Sequence, residues 1–321
     1  MDHILTEEAE AFDSQIKERI KNGHIPDLRM CKPCDYFYNN PWRRKYYVDL
    51  DFRDQMHFFI KIIKKFKKKP LNQISILEVG CGPGYMSLEL ARSGLNVVGI
   101  DLSSECIKIA NEYADKDPYK KDRGKLNYLC ADFLSDEKFI EKKFDIVITL
   151  SSLHHFKEQT KVANRIDDFL KTDGIVVVHE PVRDKVTKLV ATISFLIRSL
   201  LSISGGYYEK YPRNEFDLNK EINDLFNNLK YEDADGNNLQ SINDNEAGFE
   251  DMYPVLISNF NQLLFEWRYA LFHEIIGGLR FSEKVNEKMS FFIREIDKYL
   301  VENELIQGTE FIFVGQKNRR I

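Results

Sequence analysis

A doubly wound, mostly parallel α/β sheet is the fold class predicted for this chain of 321 residues. A helical segment is expected before the sheet and a large helical insertion before its last strands. Three observations predict this. Short β-branched runs alternate with single helix-length segments between Ile74 and Val178, and strands joined by single helices pair in parallel. The runs are mostly apolar, as strands covered on both faces are. The first run ends in a glycine-rich turn that opens a helix, and such sheets bind ligands at the carboxyl ends of their strands.

Residues 1–70 read as a helical cap. Phe58, Phe59, Ile62, Ile63 and Phe66 recur at helical spacing among Lys61, Lys64, Lys65, Lys67, Lys68 and Lys69. An amphipathic helix with a solvated basic face, stopped by Pro70, accounts for that pattern. Residues 71–181 are the ligand-binding core, with strands at 74–79, 97–100, 126–129, 145–150 and 174–178 and helices at 85–93 and 103–115. After Pro181 the alternation lapses. Residues 182–308 are a mainly helical insertion, with helices at 186–204, 248–260 and 285–302, a polar loop at 231–247 and a strand at 263–267. Residues 309–321 supply a closing strand and tail.

The charge balance, 46 basic against 51 acidic side chains, gives a net −5. No global field for nucleic acid exists, so no nucleic-acid partner is expected. No apolar run approaches the roughly 18 residues of a membrane span, and the first residues lack the basic and apolar regions of a signal peptide. A cytoplasmic protein is the expectation. The five cysteines are odd in number and scattered, which argues against a disulfide framework. Cys31-Lys32-Pro33-Cys34 is a lone C-x-x-C with no second ligand pair, so no metal site is expected.

The strongest motif is Ile76-Leu77-Glu78-Val79-Gly80-Cys81-Gly82-Pro83-Gly84-Tyr85. A strand ends in an acid, and three alternate glycines let the backbone turn sharply and lie against a ligand. The G-x-G-x-G spacing differs from the G-x-G-x-x-G of a dinucleotide site, which speaks against an NAD(P)-dependent oxidoreductase. The second strand ends in Asp101, placed to accept the hydroxyls of a ribose. Asp132 and Phe133 follow the third strand, an acid for an amino group beside a ring to cover a base. The fourth strand ends Leu150-Ser151-Ser152-Leu153-His154-His155-Phe156.

In this order, across about residues 74–181, these segments resemble the class I S-adenosylmethionine-dependent methyltransferases, whose fold is Rossmann-like. The resemblance implies S-adenosylmethionine as cofactor. Glu78, Gly80, Gly82 and Gly84 would hold its amino-acid end, Asp101 its ribose, and Leu102, Asp132 and Phe133 its adenine; Leu150 would line the path to the methyl group. The Leu-His-His-Phe ending resembles enzymes that methylate sugars and natural products. Ser151-Ser152-Leu153-His154 stands where methyltransferases of exocyclic base amines often carry an N/D-P-P-Y-like element.

The expected function is therefore methylation of a small-molecule acceptor, at oxygen, in sugar or secondary-metabolite biosynthesis. His154 or His155 is the expected general base, because a pKa near 6.5 suits that work. Ordering of the turn by one of them is the competing reading. His179, with Glu180 beside it, is the second candidate. Arg43, Arg44 and Tyr46, in an aromatic segment starting at Tyr36, are expected to face the acceptor. Helix 186–204 is read as a lid, a core helix or an interfacial helix, and Tyr207, Tyr208 and Tyr211 are placed on a hinge after Gly205-Gly206. Methylation at nitrogen or carbon by positioning alone, and a non-catalytic cofactor-binding module, are the alternatives. No integral membrane segment is expected, and a homodimer is left open.

Overall fold

The structure is a computed structural model that describes residues 3–23, 27–30, 43–136, 143–211, 216–233, 235–239, 241 and 243–318. The C-x-x-C pair and the aromatic residues 36–42 lie outside the described residues. The helices are α1 (His3–Lys21), α2 (Lys45–Leu50), α3 (Phe52–Phe66), α4 (Tyr85–Arg92), α5 (Ser104–Asp115), α6 (Gln159–Phe169), α7 (Lys188–Ile203), α8 (Leu218–Leu229), α9 (Phe249–Asn259), α10 (His273–Ile276) and α11 (Glu283–Glu302). The strands are β1 (Ser75–Val79), β2 (Asn96–Asp101), β3 (Leu126–Cys130), β4 (Phe144–Leu150), β5 (Leu170–Pro181), β6 (Phe260–Trp267) and β7 (Glu310–Lys317).

They form one seven-stranded sheet in the order β3-β2-β1-β4-β5-β7-β6. The first five strands pair in parallel, whereas β7 runs antiparallel between β5 and β6. The order reverses at β1 and β4, and there the glycine turn after β1 lies beside the end of β4. Every residue of β4 is buried, as a strand central to a two-sided sheet requires. One apolar cluster joins α3, α4, α7 and α11 to one face; a second joins α6 and α9 to the other. The sheet order and the late antiparallel strands agree with the predicted class.

Local departures have physical causes. The α3 stripe buries Phe52, Met56, Phe59, Ile62 and Ile63, so the helix starts six residues before the predicted stripe. The basic run beside it is not wholly solvated. Lys67 is buried, its ammonium 3.4 Å from the Asp173 carboxylate. Lys69 and Lys171 each lie 2.7 Å from Asp145, which is fully buried at the start of β4. These lysines neutralise carboxylates at the lower edge of the sheet, which buried charge demands.

The apolar side expected for helix 186–204 is divided. Val190, Ala191, Phe195 and Leu201 of α7 are buried, while Leu189, Leu196, Leu200 and Ile203 are exposed. Among the described residues no helix is long and apolar enough to cross a membrane. Tyr207 is buried, and Phe281 fills the space where a side chain at Gly206 would stand. That segment is packed into the core, not a free hinge.

Candidate active site

A cavity of about 1070 Å³ opens above the carboxyl ends of the strands, where the strand order reverses. The glycine turn forms its base. Gly80, Gly82 and Gly84 all have positive φ. A Cβ at Gly84 would stand 2.5 Å from the Tyr128 ring, and one at Gly80 2.5 Å from Ser152 Cβ. The backbone is pressed against two neighbours at those points, which only glycine allows. At Gly82 the same Cβ would meet nothing; it borders the cavity and leaves a bare peptide for a ligand. Gly84 lies behind the lining, its carbonyl accepting from Tyr128 Oη at 2.7 Å.

Asp101 ties this turn to the end of β2. Its two oxygens accept from Gly82 N and Ser103 N, each at 2.8 Å. A carboxylate has about four acceptor positions, so two backbone donors leave capacity for a ligand's hydroxyls. Burial raises its pKa against those hydrogen bonds. Glu78 borders the cavity from the end of β1, hydrogen-bonded by Ser87 Oγ. Burial pushes its pKa up to about 7. Leu102, Asp132, Phe133 and Leu150 all line the same space. Asp132 also holds its own turn, accepting from Leu134 N at 2.9 Å and Ser135 Oγ at 2.6 Å. The predicted cofactor residues are thus brought to one cavity, Gly84 supporting from behind.

Helix α1 roofs this half. Phe12 meets the His155 ring edge-on at 5.3 Å, and Glu8 Oε1 lies 3.0 Å from His155 Nδ1. Glu8 also accepts from Ser241 Oγ and Asn243 N, and Asp13 accepts from Ser103 and Glu105 at the start of α5. The helix is therefore bonded to both rims.

The two adjacent histidines part ways. His154 does not line the cavity. Its Nδ1 lies 2.7 Å from Glu180 Oε2 and its Nε2 3.5 Å from Asp244 Oδ1. Burial works against a charged ring there, but Asp244 and Glu180 outweigh it and hold the pKa up at about 9. Glu180 accepts as well from Ser152 N and Leu153 N, so the pair orders the turn after β4. His154 has neither the exposure nor a free lone pair for base catalysis. Among the described residues, atoms of His154, His155 and Asp244 lie within 4.8 Å of one another, but with both His154 nitrogens turned to carboxylates the group is an ion-pair cluster.

The other end of the cavity gathers polar groups of which the sequence pointed only to His179. Asp51, Gln55, His179, His273 and Glu310 all border it. Gln55 Nε2 lies 2.9 Å from His179 Nδ1, and His179 Nε2 lies 3.3 Å from Glu310 Oε2. His273 Nε2 lies 3.4 Å from Glu310 Oε1, and its Nδ1 3.7 Å from Asp51 Oδ1. Burial opposes charge on His273, yet Asp51 and Glu310 raise its pKa to about 9. Burial would raise Glu310, but His273 and His179 hold it well below the usual carboxylate range. Arg43 reaches the cavity wall over the Phe52 ring, 4.8 Å from its centroid. Arg44 does not line the cavity. Tyr46 is buried away from it, its hydroxyl donating to the Ile276 carbonyl at 3.1 Å; at the first turn of α2 its ring is drawn into the core. No motif marks Asp51, His273 or Glu310, because helix caps and late strands carry no local signature.

Residues 77–178 match a family model described as a methyltransferase domain. The ubiquinone biosynthesis O-methyltransferase of Pelagibacter ubique (strain HTCC1062) is 30% identical over 210 residues, 62% of this chain and 81% of that protein. The mitochondrial ubiquinone biosynthesis O-methyltransferase of Saccharomyces cerevisiae is 33% identical over 159 residues, 49% of this chain and 46% of the relative. The geranyl diphosphate C-methyltransferase of Streptomyces coelicolor A3(2) shares the fold, with a TM-score of 0.51, 11% identity and coverage of 98% of this chain and 99% of that one. The matched domain spans the glycine turn, Asp101 and the ends of β3 and β4, and the identity to the Pelagibacter protein extends over most of its length. On that ground the chain belongs to the class I S-adenosylmethionine-dependent methyltransferases and acts on a small-molecule acceptor.

Proposed function

We propose that this enzyme methylates a hydroxyl of a small molecule in a biosynthetic pathway, the acceptor being of the sugar, natural-product or quinone-precursor kind. The observation that supports oxygen as the nucleophile is the row of imidazoles and carboxylates at one end of the cavity. His179, Glu310, His273 and Asp51 line that end, His179 paired in register with Leu150, and a hydroxyl, unlike a free amine, must lose a proton to become a competent nucleophile. The two curated relatives are both O-methyltransferases by name.

S-adenosylmethionine supplies an electrophilic methyl group on a sulfonium. Glu78, Gly80, Gly82, Asp101, Leu102, Asp132, Phe133 and Leu150 are the residues of this chain that would hold it. Arg43 stands on the methionine side, over Phe52, whose ring meets Tyr85 edge-on at 5.1 Å just after the glycine turn. The chain's own work is alignment and exclusion of water, with α1 as the roof. Of the three histidines read from sequence, His155 and His179 face the cavity and His154 orders the turn beneath.

The test couples binding to chemistry. Purified protein is incubated with methyl-labelled S-adenosylmethionine and matched panels of phenols, catechols, polyols and primary amines. Label recovered in the ether products is the expected result. Label transferred to the amines alone would overturn the oxygen assignment in favour of an N-methyltransferase.

A further inference from the structure

Asp51 sits between α2 and α3 as the N-cap of α3, yet its side chain makes no cap hydrogen bond. An aspartate at that position ordinarily caps the backbone N–H groups one turn ahead. Here the carboxylate turns instead to the cavity wall. Among the described residues it accepts no hydrogen bond, and its nearest cation, His273 Nδ1, is 3.7 Å away, beyond hydrogen-bond range. A carboxylate that forgoes a cap and borders the cavity with only an ion pair to His273 keeps acceptor positions for a ligand.

Its neighbours do not offer the same service. Both nitrogens of His179 are engaged, Nδ1 by Gln55 Nε2 at 2.9 Å and Nε2 by Glu310 Oε2 at 3.3 Å. His273 is bracketed by two carboxylates, Asp51 on one side and Glu310 on the other. It is held as a cation and cannot take a further proton. Glu310 is shared between both rings. Among the described residues here, Glu274 also lines the cavity but faces two arginines, Arg183 at 3.8 Å and Arg198 at 3.7 Å, whereas Asp51 faces His273 with its acceptor positions open to the cavity.

We propose that Asp51 is the group that receives the acceptor's hydroxyl proton, with His273 as the positioning cation beside it. The inference rests on the reading of the acceptor as a hydroxyl compound. The O–H bond breaks and its proton passes to an Asp51 oxygen. The freed pair on the acceptor oxygen forms the bond to the methyl carbon, while the carbon–sulfur pair leaves with sulfur. The proton returns to water when the products depart. Burial raises the Asp51 pKa, in the direction that makes a carboxylate a better base. The charged or titratable groups facing it are Arg43, Tyr47, Tyr85, His179, His273 and Glu310.

The test uses the full chain with catechol and 4-nitrocatechol as hydroxyl probes. The second ionises more readily and needs less help. Asp51→Asn is expected to lower kcat on catechol by about 10²–10⁴-fold, to lower it less on 4-nitrocatechol, and to leave the calorimetric Kd for S-adenosylhomocysteine unchanged. Asp51→Glu should recover part of the loss. Equal losses on both probes, or a weakened Kd with kcat intact, would overturn the proposal; the latter would make Asp51 a cofactor ligand. Should Asp51→Asn fail to fold, His273→Gln gives the same comparison between probes. A further arm needs no acceptor. In [¹³C]aspartate spectra, the signal lost in Asp51→Asn should titrate above the ordinary aspartate range, and titration within that range refutes the assignment. Wild-type protein that binds S-adenosylhomocysteine but methylates no hydroxyl compound overturns the oxygen reading itself, and this proposal with it.

Discussion

Replacing Asp297 by alanine should damage both stability and turnover while sparing the cofactor. Asp297 is fully buried on α11 and accepts from the backbone of Ala270 at 3.1 Å, Leu271 at 3.1 Å and Phe272 at 2.8 Å. All three peptide groups belong to buried residues, and His273 follows directly. Stranding a buried donor costs about 1–3 kcal/mol. Three strands in one turn do not add, since the segment relaxes together and admits water, so the expected loss is about 3–5 kcal/mol. Urea unfolding measures it. The same shift displaces His273 from Asp51 and Glu310, so kcat should fall at least tenfold while the calorimetric Kd for S-adenosylhomocysteine stays put, because Asp297 bonds none of the residues that would hold the cofactor. Asp297→Asn keeps one acceptor oxygen and should lose about half as much stability. A loss under about 1 kcal/mol in the alanine variant, with kcat intact, would refute the view that this carboxylate positions the acceptor end.

Other substitutions separate the roles of the remaining residues. Gly84→Ala drives a Cβ into the Tyr128 ring at positive φ and should cost about 3 kcal/mol in thermal or urea unfolding. Gly82→Ala meets no neighbour, so it should cost about 1–2 kcal/mol yet weaken S-adenosylhomocysteine binding more than Gly84→Ala does relative to its stability loss. Glu78 is raised by burial from 4.5 to about 7 in the fold. Its contribution is thus fully present below the unfolded value and is lost as pH rises through about 7, on the order of 3 kcal/mol in the ligand-free protein. Glu78→Gln should flatten that part of the stability–pH curve, and an unchanged slope would count against the assignment. His154→Ala leaves Glu180 and Asp244 buried without their shared cation, so about 3–5 kcal/mol of stability should go. His154→Gln should restore turnover further than it restores stability, a pattern a true base would not show.

The fold was legible because its signals are local. Each core strand is a short, largely apolar run, and the glycine turn, Asp101 and Asp132 lie within a few residues of a strand end. The cofactor half of the cavity follows from those positions alone. The acceptor half is assembled from a helix junction (Asp51), the first turn of α3 (Gln55), the start of α10 (His273) and the first residue of β7 (Glu310). Nothing in any one of these segments announces the others. His154 was visible, but its partners Glu180 and Asp244 are far apart in sequence, and they convert an apparent base into a structural cation. The lysine run misled in the opposite way: Lys67 looks like part of a solvated face, yet the fold buries it and β5 brings Asp173 to pair with it. Arg44 and Tyr46 shared a segment with Arg43, and one helical turn sent only Arg43 to the cavity.

The roof and the far wall of the cavity come from opposite ends of the described chain, α1 supplying Glu8 and Phe12 and β7 supplying Glu310. During synthesis the glycine turn and Asp101 emerge long before β7, so a nascent chain owns the cradle without its enclosure. The extra stability that a ligand confers grows with its affinity for the folded state, and that affinity is incomplete until the last strand slots between β5 and β6. A chain stalled before residue 310 would therefore gain little from abundant S-adenosylmethionine, whereas the finished chain would be locked shut by it. Cofactor supply should thus govern how long the completed enzyme survives proteolysis, and should do nothing for its unfinished precursors.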